Sequence, residues 1–308
     1  NLIERIASGR ADDLLATVCL ATDAEILLAP AMNKQMWVNA ATQENVSKLK
    51  RRGLFISVPS EGAQACGEFG PGRMAEPEDI ISEANSLFDS NLLSDANVLI
   101  TAGPTREPFD PVRYVSNYSS GKMGFALASA ATAAGARVTL VTGPVSLETP
   151  KRVERFDVET AEQMLEACKL RISSNNIFVA CAAVADYRPT HQISQKLKKD
   201  SQTLNLEMIK NPDILCHMVN QPHDIFCVGF AAETEKLLEN AKKKLSSKSL
   251  DLLVANDVSD RTIGFESDFN EVVLVWPGGE KKLPIATKHV LARKIIEKLA
   301  VLYLEKSN

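Results

Sequence analysis

The chain has 308 residues, enough for about two domains of ordinary size, each able to bury a core. With 35 Lys and Arg against 39 Asp and Glu, its formal net charge is -4, so we expect no nucleic-acid partner. No apolar run approaches the roughly 18 to 20 residues of a membrane span, and we expect no membrane association. The six cysteines are scattered without a Cys-x-x-Cys pair, which favours a reducing cytoplasm.

Residues 1–93 are predicted to form a first, smaller domain. Its predicted elements are a helix over residues 2–21 interrupted at Gly9, a strand at 25–29, a helix at 39–52, a strand at 54–58, a glycine-rich loop at 61–74, a helix at 77–88 and a polar linker at 89–96. The chain opens on Asn rather than Met, directly in an amphipathic helix, so we expect it to be cut at its start.

Residues 94–308 are predicted to form a second domain in which strands and helices alternate. The predicted strands lie near Val98 and Val138 and at residues 177–182, 225–229 and 252–255; the helices lie at 161–172, 212–219 and 233–245. A hairpin over residues 271–285 and a helix over 287–304 complete the chain. This alternation predicts a parallel, Rossmann-like sheet in three layers.

The second domain is organised around residues 100–134. They open on an apolar strand, pass through a loop with three prolines and become helical at about residues 119–121. Gly135 is expected to end the helix, and residues 137–142 form the next strand of a βαβ unit. In such a unit ligands bind beyond the carboxyl end of the strand, against the N–H groups of the helix N-terminus.

Two well-known phosphate motifs are excluded in this stretch. Met123 stands where a P-loop requires Ser or Thr, and Ser116 stands where it requires the first Gly. Of a dinucleotide-binding Gly-x-Gly-x-x-Gly, only Gly121 and Gly124 have the right spacing, so a nicotinamide-dependent dehydrogenase is poorly supported. The two glycines alone favour close packing of the helix on the sheet. An anion site is favoured by the polar residues that crowd the same loop: Arg106, Arg113, Asn117, Ser119, Ser120 and Lys122.

Further polar residues follow the later strands. Asp186 lies just past the strand at 177–182, where its carboxylate either faces a ribose, a base or a metal, or caps a turn. Asn211 is the expected N-cap of the next helix, and Phe230 either stacks on a base or fills the core. The lysines within residues 196–199 and 242–248 form a solvated surface if isolated, but neutralise a triphosphate if they converge on a crevice.

Several long motifs resemble one known family. They are ITAGPTREP at residues 100–108, SNYSSGKMG at 116–124, AAVADYR at 182–188, KLKK at 196–199, KNPD at 210–213, GFAAET at 229–234 and AND at 255–257. Together they resemble the ligase half of the bacterial bifunctional phosphopantothenoylcysteine decarboxylase/phosphopantothenate-cysteine ligase. Residues 1–88 resemble the later part of its decarboxylase half, so the resemblance covers essentially the whole chain.

The resemblance implies a coenzyme A biosynthesis enzyme with an α/β fold. A Rossmann-like three-layer ligase domain with a mainly parallel sheet occupies residues 94–308, preceded by an incomplete flavodoxin-like flavoprotein domain at residues 1–93. In this family CTP and Mg²⁺ activate the carboxylate of 4'-phosphopantothenate as an acyl-cytidylate, and the amine of cysteine then displaces CMP. The mixed anhydride supplies the leaving group that a carboxylate lacks, while cations and metal neutralise the departing pyrophosphate.

The resemblance also implies roles for individual residues. Asn117 would hold the acyl carbonyl or its oxyanion, and Lys196, on a mobile loop, would contact the nucleotide and the intermediate. The nucleotide-binding positions are Ala180, Cys181, Ala182, Asp186, Lys196, Pro212, Asp213, Ile214, Leu215, Phe230, Lys244 and Lys248. The substrate-binding candidates are Arg113 and, for the phosphate at a helix terminus, Ser119, Ser120, Gly121 and Lys122. No metal ligand is assigned.

In the first domain, PAMN at residues 30–33 and ACGEFGPGRM at 65–74 resemble the decarboxylase's substrate motif and its flexible clamp. Cys66 would be the proton donor that completes the aminoenethiol product, Asn33 would bind the substrate carboxylate, and FMN is the cofactor of the intact domain. The family's flavin-phosphate loop, catalytic His and most of its Pro-Ala-Ser/Thr-Ala-Asn motif have no counterpart in the chain. We therefore expect no decarboxylation by this chain alone.

Two other functions are left open by the residues. An ATP-using ligase is one, because the crevice residues do not by themselves name the base. A non-catalytic interaction module is the other, in which the first domain only supports assembly. The resemblance further implies that the ligase domain forms a homodimer and that intact decarboxylase domains form trimers.

Overall fold

A computed structural model of the protein describes residues 2–63, 67, 69–87, 90–197, 204–222, 224–233, 236–257 and 267–307. Contacts between residues divide the chain into two compact units, Asn1–Asp89 and Ser90–Asn308. The domain boundary predicted between residues 93 and 94 lies a few residues beyond that division. In the described part of the chain, no helix is both long and apolar enough to cross a membrane.

The first unit combines short helices with two small sheets. Its elements are α1 (Leu2–Ser8), α2 (Leu14–Ala21), β1 (Leu27–Leu28), α3 (Lys34–Val38), α4 (Ala40–Arg51), β2 (Phe55–Ile56), β3 (Ser60–Ala63), β4 (Phe69–Arg73) and α5 (Pro77–Ser86). Strands β1 and β2 are parallel, and β3 and β4 form an antiparallel pair. Helix α1 packs on α4, and their apolar faces bury Ile3, Ile6 and Leu49 in a small core.

Three details of this unit differ from the prediction. The helix expected over residues 2–21 is two helices, because Gly9 has a positive φ of 73° and Asp13 caps a new start by accepting a hydrogen bond from the N–H of Ala16. Helix α3 was not predicted. The glycine-rich stretch predicted as a loop contains β4 and most of β3, with Gly70 and Gly72 at positive φ, a backbone conformation that side chains rarely adopt. Cys66 lies outside the described residues.

The second unit alternates strands with helices, as predicted. Its elements are β5 (Asn97–Ala102), β6 (Glu107–Pro108), β7 (Tyr114–Val115), α6 (Lys122–Ala133), β8 (Arg137–Thr142), β9 (Val153–Asp157), α7 (Ala161–Ile172), β10 (Ile177–Ala180), β11 (Tyr187–Pro189), β12 (Met208–Lys210), α8 (Ile214–Val219), β13 (Phe226–Glu233), α9 (Leu237–Ser247), β14 (Leu252–Asp257), β15 (Phe269–Trp276), β16 (Gly279–Thr287) and α10 (Lys288–Ser307).

Eight of these strands form one sheet in the order β16-β15-β14-β13-β10-β5-β8-β9. The six strands from β14 to β9 are parallel, while β15 and β16 form an antiparallel hairpin at one edge. Numbered along the chain, the parallel strands lie in the order 6-5-4-1-2-3, which is that of a doubly wound Rossmann fold. The chain changes direction across the sheet between β5 and β10, and that switch point is where such folds bind ligands.

The helices cover both faces of this sheet and complete the three layers. Strand residues alternate between the faces, so Val98 and Ile100 lie in one core and Leu99 in the other. The first core is closed by α6 and α10, the second by α7, α8 and α9. The edge strand β9 was not predicted, because its charged residues break the apolar run expected of a strand in a parallel sheet.

Close packing of α6 on β5 requires one of the two glycines, Gly121 and Gly124, near the start of this helix. A Cβ on Gly124 would lie 2.5 Å from the Cβ of Ala102, so α6 approaches β5 too closely for any side chain at this position. Gly121 is different, because it is the N-cap of α6 with a positive φ of 77°. The predicted packing role is therefore confirmed for Gly124, while Gly121 shapes the turn into the helix.

Candidate active site

A cleft lies at the switch point, beyond the carboxyl ends of β5 and β10. It consists of two adjoining cavities of about 390 Å³ and 220 Å³. Both are lined by Ala182, Val184, Asp186, Phe230 and Lys244. The larger cavity also reaches the N-terminus of α6, and the smaller one the N-terminus of α8; we refer to them as the α6 end and the α8 end.

Hydrogen bonds between the two loops that leave β5 and β10 fix the floor of this cleft. The N–H of Cys181 donates to the carbonyl of Thr101 at 3.2 Å, and the N–H of Ala183 donates to the carbonyl of Gly103 at 2.9 Å. The N–H of Ala185 then donates to Oγ1 of the buried Thr105 at 3.0 Å. Because the chain after β10 is held at successive residues, the side chains between residues 180 and 186 keep a defined orientation toward the cleft.

The α6 end has the chemistry of an anion site. It is lined by Ser119, Ser120, Gly121 and Lys122, which lead into the helix. The N-cap, Gly121, has no side chain with which to cap the helix, so the positive end of the helix dipole faces the cavity. Nζ of Lys122 lies 2.6 Å from Oδ1 of Asp268, and that ion pair lowers the pKa of the Asp268 carboxyl.

A second ammonium group lies at the α6 end. Lys288, the first residue of α10, lines the cavity although it is only 4% exposed. Burial lowers its pKa to about 8, and the neighbouring charge of Lys122 acts in the same direction, while Cys181 and Asp268 oppose it. A buried ammonium group that another ammonium faces is costly, and an anion in the cavity would relieve that cost. Lys288 was not among the predicted site residues.

The α8 end is built differently, because a carboxylate already caps its helix. Asp213 accepts a hydrogen bond from the N–H of Cys216 at 3.0 Å and forms an ion pair with Lys248 at 2.7 Å. Although burial opposes the shift, the Lys248 ammonium and the Cys216 N–H lower the pKa of Asp213. This end is lined by three lysines, Lys210, Lys244 and Lys248, of which Lys248 is paired with Asp213. Pro212, Ile214 and Leu215 complete this part of the lining.

The expected N-cap of α8 was wrong. Asn211 instead belongs to the lining of the α8 end and is largely buried, with its Nδ2 donating to the carbonyl of Ala185 at 2.8 Å and its Oδ1 accepting from Arg188 at 3.1 Å. Its N–H donates to the carbonyl of Asp186 at 2.8 Å. Asn211 therefore ties the start of α8 to the loop that carries Asp186.

Asn117 lies at the α6 end of the cleft and is oriented by both atoms of its amide. Oδ1 accepts a hydrogen bond from the N–H of Ser119 at 3.1 Å, and Nδ2 donates to the carbonyl of Ala183 at 2.5 Å. An amide nitrogen has two hydrogens, so one donor of Asn117 is left for a ligand in the cleft. A neutral, oriented donor of this kind is suited to a carbonyl oxygen on which negative charge develops.

The cleft brings together most of the residues that the sequence analysis assigned to the ligase. The α6 end contains Asn117, Ser119, Ser120, Gly121, Lys122 and Cys181, the α8 end contains Ala180, Pro212, Asp213, Ile214, Leu215 and Lys248, and both contain Ala182, Asp186, Phe230 and Lys244. Burial raises the pKa of the Cys181 thiol to about 12, so Cys181 lines the wall as a neutral group. The asparagines Asn256 and Asn270 also line the α6 end and were not predicted.

The structure places the remaining candidates elsewhere. Arg113 forms an ion pair with Asp110, and Lys196 has an exposed side chain next to Leu197. Asn33 belongs to the first unit, where its Oδ1 accepts a hydrogen bond from the N–H of Gln35 and caps α3. Within the described residues, no three His, Cys, Asp or Glu side chains are grouped so as to hold a metal ion.

Comparison with known families matches both units. The model of the family described as "DNA/pantothenate metabolism flavoprotein C-terminal domain" matches residues 93–302. The model of the family described as "Flavoprotein" matches residues 1–88.

Curated relatives match over nearly the whole chain. The coenzyme A biosynthesis bifunctional protein CoaBC of Vibrio vulnificus (strain YJ016) is 51% identical over 308 residues, which are 98% of this chain and 76% of the relative. The protein of the same name from Escherichia coli (strain K12) is 49% identical over 100% of this chain and 77% of the relative. The crystal structure of the C-terminal domain of a CoaBC protein is 37% identical, with a TM-score of 0.61, and covers 70% of this chain and 100% of that domain.

Proposed function

Since this chain belongs to the family of bifunctional coenzyme A biosynthesis proteins, we propose that its cleft is the active site of a phosphopantothenate-cysteine ligase that uses CTP. The observation that carries this proposal is the cleft itself. Residues that are far apart in the sequence, from Asn117 to Lys248, meet at the switch point of a doubly wound sheet. This is the position at which folds of this class bind nucleotides.

The proposed ligase reaction has two steps. A carboxylate oxygen of 4'-phosphopantothenate attacks the α-phosphorus of CTP, and the bond from that phosphorus to pyrophosphate breaks, which leaves an acyl-cytidylate. The amine nitrogen of cysteine then attacks the acyl carbon, loses a proton, and displaces CMP. The first step needs cations near the pyrophosphate and the second needs a donor at the acyl oxygen, which are the roles we assign to the lysines of the cleft and to Asn117.

The two ends of the cleft suggest where each substrate binds. We assign the phosphate of 4'-phosphopantothenate to the α6 end, because Lys122 and Lys288 face it beside an uncapped helix start. We assign the nucleotide to the α8 end, where Lys248 and the backbone at residues 212–215 line the cavity. Lys244 and Phe230 line both cavities, so the reacting carboxylate and the α-phosphate would meet beside them.

Mg²⁺ is proposed to enter with CTP. Magnesium in proteins is commonly held by substrate phosphates, water and one or two carboxylates, and Asp186 provides one carboxylate in the cleft. Its chemistry there would be to neutralise the charge that develops on the departing pyrophosphate.

For the decarboxylase half we propose only the identity of the flavin. The first unit matches a flavoprotein family, and we propose FMN as the flavin of the intact domain. The described contacts of Asn33 are those of a helix cap, and Cys66 lies outside the described residues. We therefore propose no step through FMN.

We further propose the division into residues 1–93 and 94–308, a cytoplasmic location and a ligase homodimer. A cytoplasmic location fits the five cysteines in the described residues, all of which are unpaired. Size-exclusion chromatography with light scattering tests the dimer directly.

The experiment that tests the ligase measures pyrophosphate release with 4'-phosphopantothenate and Mg²⁺, with CTP or ATP, and with or without cysteine. We expect release that requires phosphopantothenate and is faster with CTP, and CMP release that also requires cysteine. Equal rates with ATP would favour the ATP-using ligase. A folded protein that releases pyrophosphate with neither nucleotide would leave the non-catalytic module as the better explanation.

A further inference from the structure

Asp110, a residue outside the cleft, is held in an unusually complete set of contacts. It lies at the tip of the hairpin formed by β6 and β7 and is only 1% exposed. Its Oδ1 accepts hydrogen bonds from the N–H groups of Val112 and Arg113, both at 2.8 Å. Its Oδ2 accepts from Nε and Nη2 of Arg113 at 2.9 and 2.5 Å. The Arg113 guanidinium holds the pKa of Asp110 well below its usual range, so the carboxylate is charged at any working pH.

The same ion pair also forms hydrogen bonds with a segment that lies more than 80 residues further along the chain. The N–H of Leu197 donates to Oδ2 of Asp110 at 3.3 Å, and Nη2 of Arg113 donates to the carbonyl of Leu197 at 3.2 Å. Four residues earlier, the N–H of Ile193 donates to the carbonyl of Phe109 at 2.9 Å. Residues 193–197 are therefore tied to the hairpin tip at both ends, and the tie at Leu197 uses charged partners, which strengthens it.

Lys196 is the residue whose position these hydrogen bonds to Leu197 restrict. It directly precedes Leu197, so its Cα lies about 3.8 Å from an anchored residue. Its side chain is exposed, and its backbone is held between the two tied residues. A lysine that acts on a nucleotide has to be delivered with small error, because a misplacement of about 1 Å can cost about 100-fold in rate.

The hairpin also leads directly into the cleft. Strand β7 ends at Val115, and Oγ of Ser116 donates to the carbonyl of Thr105 at 2.7 Å. The next residue is Asn117, which lines the α6 end. The second strand of the hairpin thus ends two residues before Asn117, and the tip of the same hairpin holds the backbone of Leu197, next to Lys196.

We propose that Asp110 is a positioning residue of the ligase reaction, which acts with Arg113 to place Lys196 relative to Asn117. The inference rests on the proposed function, because it takes the role of Lys196 from it. It also assigns Arg113, predicted to bind substrate, to the positioning of the loop. An Asp110 that served only the hairpin would need its contacts with Val112 and Arg113, but not the hydrogen bond that it accepts from Leu197.

The substitution Asp110→Asn separates these two roles. The amide oxygen can still accept from the N–H groups of residues 112 and 113, whereas the amide nitrogen removes the acceptor shared by Arg113 and Leu197. The matched control is Glu166→Gln, which removes the carboxylate of another i,i+3 ion pair, with Lys169, on an exposed helix face. Circular dichroism and thermal unfolding establish that each variant is folded.

The kinetic test is a double-variant cycle on pyrophosphate release from 4'-phosphopantothenate and CTP. We expect D110N to be about 10- to 100-fold slower than wild type, K196A to be at least as slow, and the double variant to be no slower than K196A alone. E166Q should match wild type. Equal effects of D110N in the presence and absence of Lys196, a D110N rate equal to wild type, or a fully active K196A would each overturn the inference.

Trypsin provides a readout that needs no enzymatic activity. Loss of the contacts of Asp110 with Leu197 and Arg113 should increase the rate of cleavage after Lys196 in D110N, with no change in E166Q. Because this rate is measured on the folded protein without substrates, it separates a failed inference from a failed ligase assignment. An unchanged cleavage rate in D110N would contradict the inference even if the wild type is an active ligase.

Discussion

The two ends of the cleft differ in what lies in front of the N–H groups at the start of their helices. At the α6 end a helix begins at a glycine, and two ammonium groups, Lys122 and Lys288, line the space in front of it. At the α8 end the helix begins at Asp213, whose carboxylate satisfies the N–H of Cys216 and pairs with Lys248. The start of α6 has no side-chain cap, so its N–H groups suit an anion from outside, although Lys122 beside it is paired with Asp268. At the start of α8 the carboxylate of Asp213 already takes the place of such an anion. This difference is the reason why we propose the α6 end for the substrate phosphate and the α8 end for the nucleotide.

The largest effect is expected between the two ends, at Asn117. Replacement by alanine removes the donor proposed for the acyl oxygen, so product formation should fall about 10²- to 10³-fold, as for other oxyanion donors. The measurement is the rate of CMP release with saturating substrates. A change in KM for either substrate with kcat intact would mean that Asn117 only binds, and that the ends are not joined by a shared reaction centre.

At the α6 end, Lys288→Met should raise the KM for 4'-phosphopantothenate about 10- to 100-fold, the range expected for a lost hydrogen bond to a charged group. The KM for CTP should change less than twofold. Lys288→Arg is the matched control, because it keeps the charge. If K288M instead raised the KM for CTP, the assignment of the two ends would be reversed.

The low pKa of Lys288 predicts a pH effect at one end only. With a pKa of about 8, the ammonium is charged below pH 8 and is lost as the pH rises through that value. The KM for 4'-phosphopantothenate should therefore rise about tenfold between pH 7 and pH 9, because the charged fraction falls by that factor. The groups that face Lys288 are Lys122, Asp268 and Cys181. In K288R the rise should be absent, and a rise that persists would point to another group.

At the α8 end, Lys248→Met should act on the nucleotide alone and more weakly. Lys248 is already paired with Asp213 and is partly exposed, so we expect a KM for CTP only about three- to fivefold higher. Steady-state kinetics with 4'-phosphopantothenate held at saturation would measure it. A larger effect on 4'-phosphopantothenate than on CTP would contradict the proposed division of the cleft.

The smallest effect is expected at Cys181 on the cleft wall. Since burial raises the pKa of its thiol to about 12, the side chain is neutral and unreactive at working pH. Cys181→Ser should keep activity within about twofold, and iodoacetamide should label Cys181 of the wild type slowly, since only a thiolate attacks it. Rapid labelling accompanied by inactivation would require a thiolate in the cleft.

The sheet and most of the cleft lining were predictable because their signals are local. Apolar strands alternate with helices, and the motif at residues 182–188 directly follows β10 of the parallel sheet. The same reasoning placed Asn211 at a helix start, but the structure gives that cap to Asp213. Asn211 and Asp213, two residues apart, can both cap a helix, and only tertiary contacts decide between them, here those of Asn211 with Ala185 and Arg188.

Lys288 shows what a sequence pattern cannot supply. It is the first residue of the last helix, in a stretch with many other lysines, and nothing in its neighbours distinguishes it from a solvated one. Its burial follows from the packing of α10 against α6, a contact between elements more than 150 residues apart. The hydrogen bonds of Asp110 and Arg113 with Leu197 also join residues that are far apart in the sequence.

The most direct test of this division is a crystal structure of the protein with 4'-phosphopantothenate and a CTP analogue that carries a methylene bridge between the α- and β-phosphates. We predict the phosphate of 4'-phosphopantothenate against residues 119–122 and Lys288, and the cytidine against residues 212–215, with the carboxylate and α-phosphate meeting beside Phe230 and Lys244. Cytidine at the α6 end, or both ligands outside the cleft, would contradict the account.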